Sequence, residues 1–322
     1  MTTNTSGGYG RCVRPALWLL AAGMVLAACN SGGQQAGEAG QQALEDDTPK
    51  KGTIRISVDE SFKPVIDSQI KVYEASNPEA HIIAEYKSEA ECLKDLESDS
   101  TRLVIVTRGL SDAERDAFKE KLGFAPSWGV LAWDAVAVVT NKQAKDSVFT
   151  MAELRAMLDG SAKSRYKVVM DGKTATSTVR FAIDSLLKGK PLAGRVEAAS
   201  SSPEVVEFVA RNTDAIGMLG VSWIGNQDDP EQLSFAGKVR VASLKCETCD
   251  TTAYVKPYQA NIAMGRYPLL RSLNYILKEN YTGLGRGFVN FLMYERGQLI
   301  FKRAYLLPGR MQFEVRAMNI EQ

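Results

Sequence analysis

The chain has 322 residues, with 39 Lys and Arg against 38 Asp and Glu, a formal net charge of +1 and a single histidine. Charges of both signs are scattered without a basic block or stripe, which argues against nucleic acid as a partner. One histidine excludes His-rich zinc sites and HExxH metalloprotease chemistry, and no G-x-S-x-G elbow accompanies it, so neither an enzyme nor a bound metal or cofactor is expected.

Arg11 and Arg14 precede an apolar run from Pro15 to Ala28. The run is too short to cross a bilayer comfortably and has the length of a signal-peptide h-region. Its end, Leu26-Ala27-Ala28-Cys29, resembles a bacterial lipobox, in which the Cys is acylated (palmitate is one such chain) and becomes the first residue of the mature protein. An ordinary secretory signal with Cys29 incidental is the plainer alternative. On the lipobox reading, residues 1–28 are a signal peptide and Cys29 is the lipidation site. The protein is then held on the periplasmic side of the cell envelope by a lipid anchor. Residues 29–50 are Gly, Gln, Ala, Ser and acidic residues with almost nothing to bury, the composition of a flexible tether. No later stretch is long and apolar enough to span a membrane.

The remaining stretch of about 270 residues exceeds the comfortable size of one hydrophobic core, so two lobes are expected. Lys51 to Val58 alternates apolar and polar residues as a strand does. Phe62, Val65, Ile66, Ile70 and Tyr73 then recur at helical spacing up to Asn77-Pro78. His81 to Tyr86 reads as a second strand, Glu89 to Leu96 as a helix and Leu103 to Thr107 as a third strand. Ser111 caps a helix to Leu122, and Val130 to Thr140 contains a strand. This alternation predicts an α/β lobe with a largely parallel sheet.

A second group begins at Thr150, which with Glu153 forms a capping box on a helix to Leu158. Tyr166–Met170 is predicted as a strand, Ser177 to about Leu187 and Pro203–Asn212 as helices, and Ala215–Leu219 as a strand. Lys238 to Leu244 reads as one strand, as does Tyr258–Met264. Three helical segments are predicted to follow, through Leu269–Lys278, Gly285–Tyr294 and Gly297–Tyr305. Cys92 reads as a buried apolar position on a helix. Cys246 and Cys249 have a spacing shared by zinc knuckles and redox motifs, but no second pair completes a zinc site. In an oxidising compartment a local loop disulfide is the simpler expectation.

Several blocks, in order, resemble the phosphate-type periplasmic solute-binding proteins of ABC importers. They are Asp134 to Asn141, Phe149 to Gly160, Ser202-Pro-Glu-Val-Val-Glu-Phe-Val, Asp214-Ala-Ile-Gly-Met-Leu-Gly220, Gly265-Arg-Tyr-Pro-Leu-Leu-Arg271, Gly297-Gln-Leu-Ile300 and Leu307-Pro308. No single block is specific; their order carries the resemblance. It implies a two-lobed type II "Venus flytrap" fold, each lobe a mostly parallel sheet flanked by helices. The first lobe would be residues 51–141 plus 252–322, and the second 142–251. It also implies phosphate or a similar oxyanion as ligand, an inner-membrane ABC permease as partner, and a monomer.

Such proteins hold a dehydrated oxyanion with neutral donors and the unpaired N–H groups at helix starts. The candidates here are Ser61 and Phe62 after the first strand, Thr107 and Arg108 after the third, and Thr176, Ser177, Thr178 and Arg180. Ser88, opening the second helix, is a further candidate. Each has a plain alternative: the Ser and Thr residues as helix caps, Arg108 and Arg180 as members of ion pairs. Asp59 or Glu60 could accept the proton of hydrogen phosphate. Departures from the family pattern are Ala175, Thr176 and Ser177 where a glycine-rich turn is usual, and Tyr305 where relatives often have a small residue. Other functions remaining open are binding of another oxyanion or small acid, and a structural or signalling role without transport.

Overall fold

The computed structural model describes residues 47–161, 164–171 and 176–310. The signal segment, Cys29 and most of the tether lie outside the described residues. The tether's last residues are not free: the Asp47 carboxylate accepts from the Leu284 amide and the Tyr281 hydroxyl and pairs with Arg102.

The first strand, β1 (Lys51–Asp59), ends in a single 3-10 turn, Glu60–Phe62, that leads into α1 (Lys63–Ser76). There follow β2 (Glu79–Lys87), α2 (Glu89–Asp95), β3 (Thr101–Val106), α3 (Asp112–Leu122) and β4 (Ser127–Asn141). The second group is β5 (Val148–Phe149), α4 (Met151–Asp159), β6 (Lys167–Met170), α5 (Ser177–Phe181), β7 (Glu197–Ala198), α6 (Ser202–Arg211) and β8 (Ala215–Gly220). The last part runs α7 (Pro230–Lys238), β9 (Val239–Val241), β10 (Ser243–Lys245), β11 (Tyr254–Val255), α8 (Gln259–Ala263), β12 (Leu270–Leu277), α9 (Leu284–Met293), α10 (Glu295–Arg303) and β13 (Leu307–Pro308).

The main sheet has the order β2-β1-β3-β12-β4-β8-β6-β7, with β13 and β9 also on β4. The β1–β2, β1–β3, β6–β7 and β6–β8 pairs are parallel, whereas β12 and β4 run antiparallel to their neighbours. The expected α/β architecture therefore holds, but the sheet is mixed rather than mostly parallel, with parallel pairs toward both ends and antiparallel pairs around β12 and β4. Strand β4 joins the two parts: residues 127–135 pair with β12, and 136–141 with β8 and β9. Helix starts are set locally. Ser88, Ser111 and Thr150 each close a capping box with a Glu three residues on, satisfying amides the helix cannot.

Two expectations about the later chain are overturned. Leu269–Lys278 contains the strand β12, not a helix. Leu269, Leu270, Leu273, Ile276 and Leu277 mimic a helical repeat because β12 lies between β3 and β4 and is buried on both faces, which erases the strand's alternation. Tyr258–Met264 contains the helix α8, not a strand. Its alternating Tyr258, Ala260, Ile262 and Met264 imitate period two, but only Ile262 is buried, while Tyr258 and Met264 are exposed. Gly265 ends the segment at φ 62°, a conformation that favours glycine. The Lys238–Leu244 strand is two strands: β9 pairs with β4, and β10 pairs with β5 and β11. Cys246 and Cys249 are joined in a disulfide beside β10, and Cys92 is buried.

Candidate functional site

The C-terminal ends of β1, β2, β3 and β6 deliver the candidate residues, the edge at which open α/β sheets place their ligands. At the end of β1, one oxygen of the Asp59 carboxylate accepts the Ser61 amide at 2.9 Å. This tightens the turn and buries Ser61 and Phe62. The Ser61 hydroxyl lies 3.3 Å from the Ser177 hydroxyl and 3.4 Å from Asp171. Its carbonyl accepts the Ser222 hydroxyl at 2.8 Å.

After β6, Asp171 accepts the hydroxyls of Thr176 and Thr178, each at 3.3 Å. Thr176 also caps α5 through the Val179 amide. Ser177 and Thr178 are fully buried and face Arg271, whose Nη1 donates to Ser177 Oγ at 2.8 Å and to Thr178 Oγ1 at 3.4 Å. Arg271 and Asp134 stand opposite each other in the β12–β4 register, and Arg271 Nε donates to Asp134 at 2.7 Å. The guanidinium also lies 5.1 Å from the centroid of the Phe62 ring. Gly220 leaves this space open: a Cβ there would come within 3.1 Å of Arg271 and 3.3 Å of the Ser61 carbonyl.

Near the third helix-start segment, Arg180 meets Thr107 and Glu89. The Glu89 carboxylate accepts the Thr107 amide at 2.8 Å, the Thr107 hydroxyl at 2.6 Å and Arg180 Nε. Arg180 Nη2 donates in turn to Thr107 Oγ1 at 2.7 Å. At the turn after β1, Glu60 accepts the amide and hydroxyl of Ser202 at 3.2 and 2.9 Å.

Burial and crowding shape the ionisation of these acids. Burial pushes the Asp59 carboxyl up to about 6 against the pull of Arg271, and burial with the charge of Asp171 pushes Glu60 up to about 7. Asp171 is also raised, chiefly by burial. Burial works against Glu89 too, but hydrogen bonds and charge from Arg180, with help from Thr107, hold it below the usual carboxylate range. Burial likewise opposes the Arg271 charge, yet Asp134 and Asp59 keep the guanidinium firmly protonated.

The structure thus gathers Ser61, Phe62, Thr107, Thr176, Ser177, Thr178 and Arg180 into one region. Ser88 and Arg108 are committed elsewhere. Ser88 closes its own capping box with Glu91, and Arg108 forms a two-pronged pair with Glu114 at 2.9 and 2.8 Å. Asp134, Asp171, Glu89 and Arg271 were not singled out from sequence. The available signal was a charged residue inside an apolar run (Arg271 and Asp134) and an acid at a strand end or helix start (Asp171 and Glu89). Among the described residues no group of His, Cys, Asp and Glu is arranged to hold a metal ion. Nor is any helix there long and apolar enough to cross a membrane. The collection of hydroxyls, one strand-end amide and guanidinium is suited to holding an oxyanion by hydrogen bonds.

Residues 43–296 match the family model described as a PBP superfamily domain. Phosphate-binding protein PstS of Bacillus subtilis is 22% identical over 287 residues, covering 84% of this chain and 85% of that protein. A substrate-binding protein of Clostridium perfringens, solved with bound phosphate, superposes with a TM-score of 0.66 at 18% identity, over 80% of this chain and 100% of that one. An ABC-type phosphate transport receptor from Vibrio cholerae gives 0.59 at 18% identity with the same coverage. With the model match spanning most of the chain, and solved structures sharing the fold, the chain belongs to the PBP superfamily, the periplasmic-type solute-binding proteins.

Proposed function

We propose that this protein binds phosphate between two lobes and delivers it to an ABC importer. The observation that carries the reading is the convergence of Ser61, Thr107, Ser177, Thr178 and Arg180, which come from segments far apart in sequence. The named functions of the similar proteins from B. subtilis and V. cholerae support it. In this reading the lobes are residues 51–141 with 252–322, and residues 142–251. The Ser61–Ser177, Glu89–Arg180, Thr107–Arg180 and Glu60–Ser202 contacts then all cross from one lobe to the other. Ligand contacts made from both sides drive closure about the β4 crossing and the chain near residue 252. No covalent step is involved.

The lipobox-like end of the apolar run supports an anchor at Cys29, after removal of residues 1–28, with the protein monomeric on the periplasmic face of the envelope. Equilibrium dialysis with labelled orthophosphate tests the binding function. The full chain should retain phosphate that excess sulfate does not displace, and a Ser177→Ala, Thr178→Val double variant should lose it. Retention of no oxyanion by the folded wild type would defeat the reading.

A further inference from the structure

We propose that Glu89 is an internal competitor for the anion site: its carboxylate holds the donors a ligand oxyanion needs, and ligand enters by displacing it. The inference rests on the oxyanion-binding reading above and concerns how that site is regulated.

The Thr107 amide, the Thr107 hydroxyl and the Arg180 guanidinium form a compact set of donors, and all three converge on one side chain, Glu89, which is only 2% exposed. A carboxylate held by an amide, a hydroxyl and a guanidinium is chemically equivalent to one face of a bound oxyanion. A phosphate dianion at the same donors would lie against the Glu89 charge in a poorly hydrated place, so the two exclude each other.

The helix does not require this carboxylate. The amides at the start of α2 are served by Ser88 and Glu91, which form its capping box without Glu89. The side chain also has somewhere to go. A cavity of about 300 Å³ opens beside it, lined by Glu89, Leu93, Arg108, Val179 and Ile183 among others. A carboxylate rotated into that cavity leaves Thr107 and Arg180 to the ligand and stays near the charge of Arg108, which Glu114 already pairs, with Asp184 in the cavity lining as an opposing charge. Glu89 thereby sets the phosphate concentration at which the site fills.

The test is titration of the full chain and of its Glu89→Ala and Glu89→Gln variants with phosphate, alongside sulfate and acetate, with thermal unfolding to confirm that each is folded. Glu89→Ala should bind phosphate about ten-fold tighter or better, and Glu89→Gln, which keeps an acceptor but no charge, should fall between it and wild type. Millimolar acetate should compete with phosphate in Glu89→Ala, where it refills the emptied position, and not in wild type. A silent wild type beside a phosphate-binding Glu89→Ala would support the competitor role while ending the claim that the native protein captures phosphate. Folded variants that bind phosphate no tighter than a binding wild type would overturn the proposal and make Glu89 a positioning residue for Arg180. If Glu89→Ala does not fold, Glu89→Gln alone decides between these results. Silence of all three proteins toward every oxyanion would overturn the binding function and this proposal with it.

Discussion

Asp59 carries a buried oxygen that, among the described residues, has no hydrogen-bond partner, while its other oxygen holds the Ser61 amide. Its carboxyl is raised to about 6 by burial, so the native state keeps a proton that the unfolded chain releases near its ordinary value of 3.8. For an acid raised in this way the stabilising contribution is complete below about pH 4 and is lost as pH rises through about 6. Glu60, raised to about 7, has the same sign over a window displaced upward. Asp59→Asn keeps the acceptor for Ser61 and removes the charge. It should raise stability by on the order of 2 kcal/mol at about pH 8, with the gain shrinking toward pH 5, as denaturant titrations at the two pH values would reveal. Arg271 has the opposite character, because removing it strands buried Asp134. Arg271→Leu should cost about 3–5 kcal/mol in denaturant unfolding, and adding Asp134→Leu should recover much of that. Ser61, Ser177 and Thr178 stood out as candidates in the sequence because a hydroxyl residue between a strand and a helix leaves a local signature. Arg271 was not, since its carboxylate partner is 137 positions away and no local pattern records the pairing.

Elements were legible where one face is wet. Helices α1, α3 and α4 carry their apolar stripe or capping box in plain view, and β1 and β2 begin with alternating burial. Strand β12, dry on both faces, and helix α8, with one buried anchor, gave the wrong period for the same reason: periodicity reports contrast between two environments. Packing tightness at glycines gives a test at this scale. A Cβ on Gly217 in β8 would come within 2.8 Å of methyls of Val139 and Val205 and 2.9 Å of Val209. Gly217→Ala should therefore destabilise by about 1–3 kcal/mol through overpacking. Gly237 in α7 is exposed and has nothing within 4 Å of the added carbon, so Gly237→Ala should stabilise by about 0.5–1 kcal/mol. Parallel unfolding curves of the two variants check both signs.

For the whole molecule, the order of blocks along the chain was enough to anticipate an α/β fold of the periplasmic-binding type, because several blocks coincide with whole elements of the sheet and its helices, as 149–160 does with α4 and 214–220 with β8. The interior of the site was less legible. Its charge balance comes from Asp59, Glu60, Glu89, Asp134 and Asp171 set against Arg180 and Arg271, side chains drawn from strands, turns and helices along more than half of the chain. Such a balance is a property of the assembled sheet and has no counterpart in any window of sequence. On the proposed reading phosphate is a demanding ligand, since a dianion must be held against an excess of acids, several of which burial makes harder to ionise. The most direct test is calorimetric titration of the full chain with phosphate near neutral pH, with sulfate as the control. A Kd of about 1 μM or tighter for phosphate, with no heat from sulfate, is the expected result. A folded protein that gives no heat with any oxyanion would contradict the account.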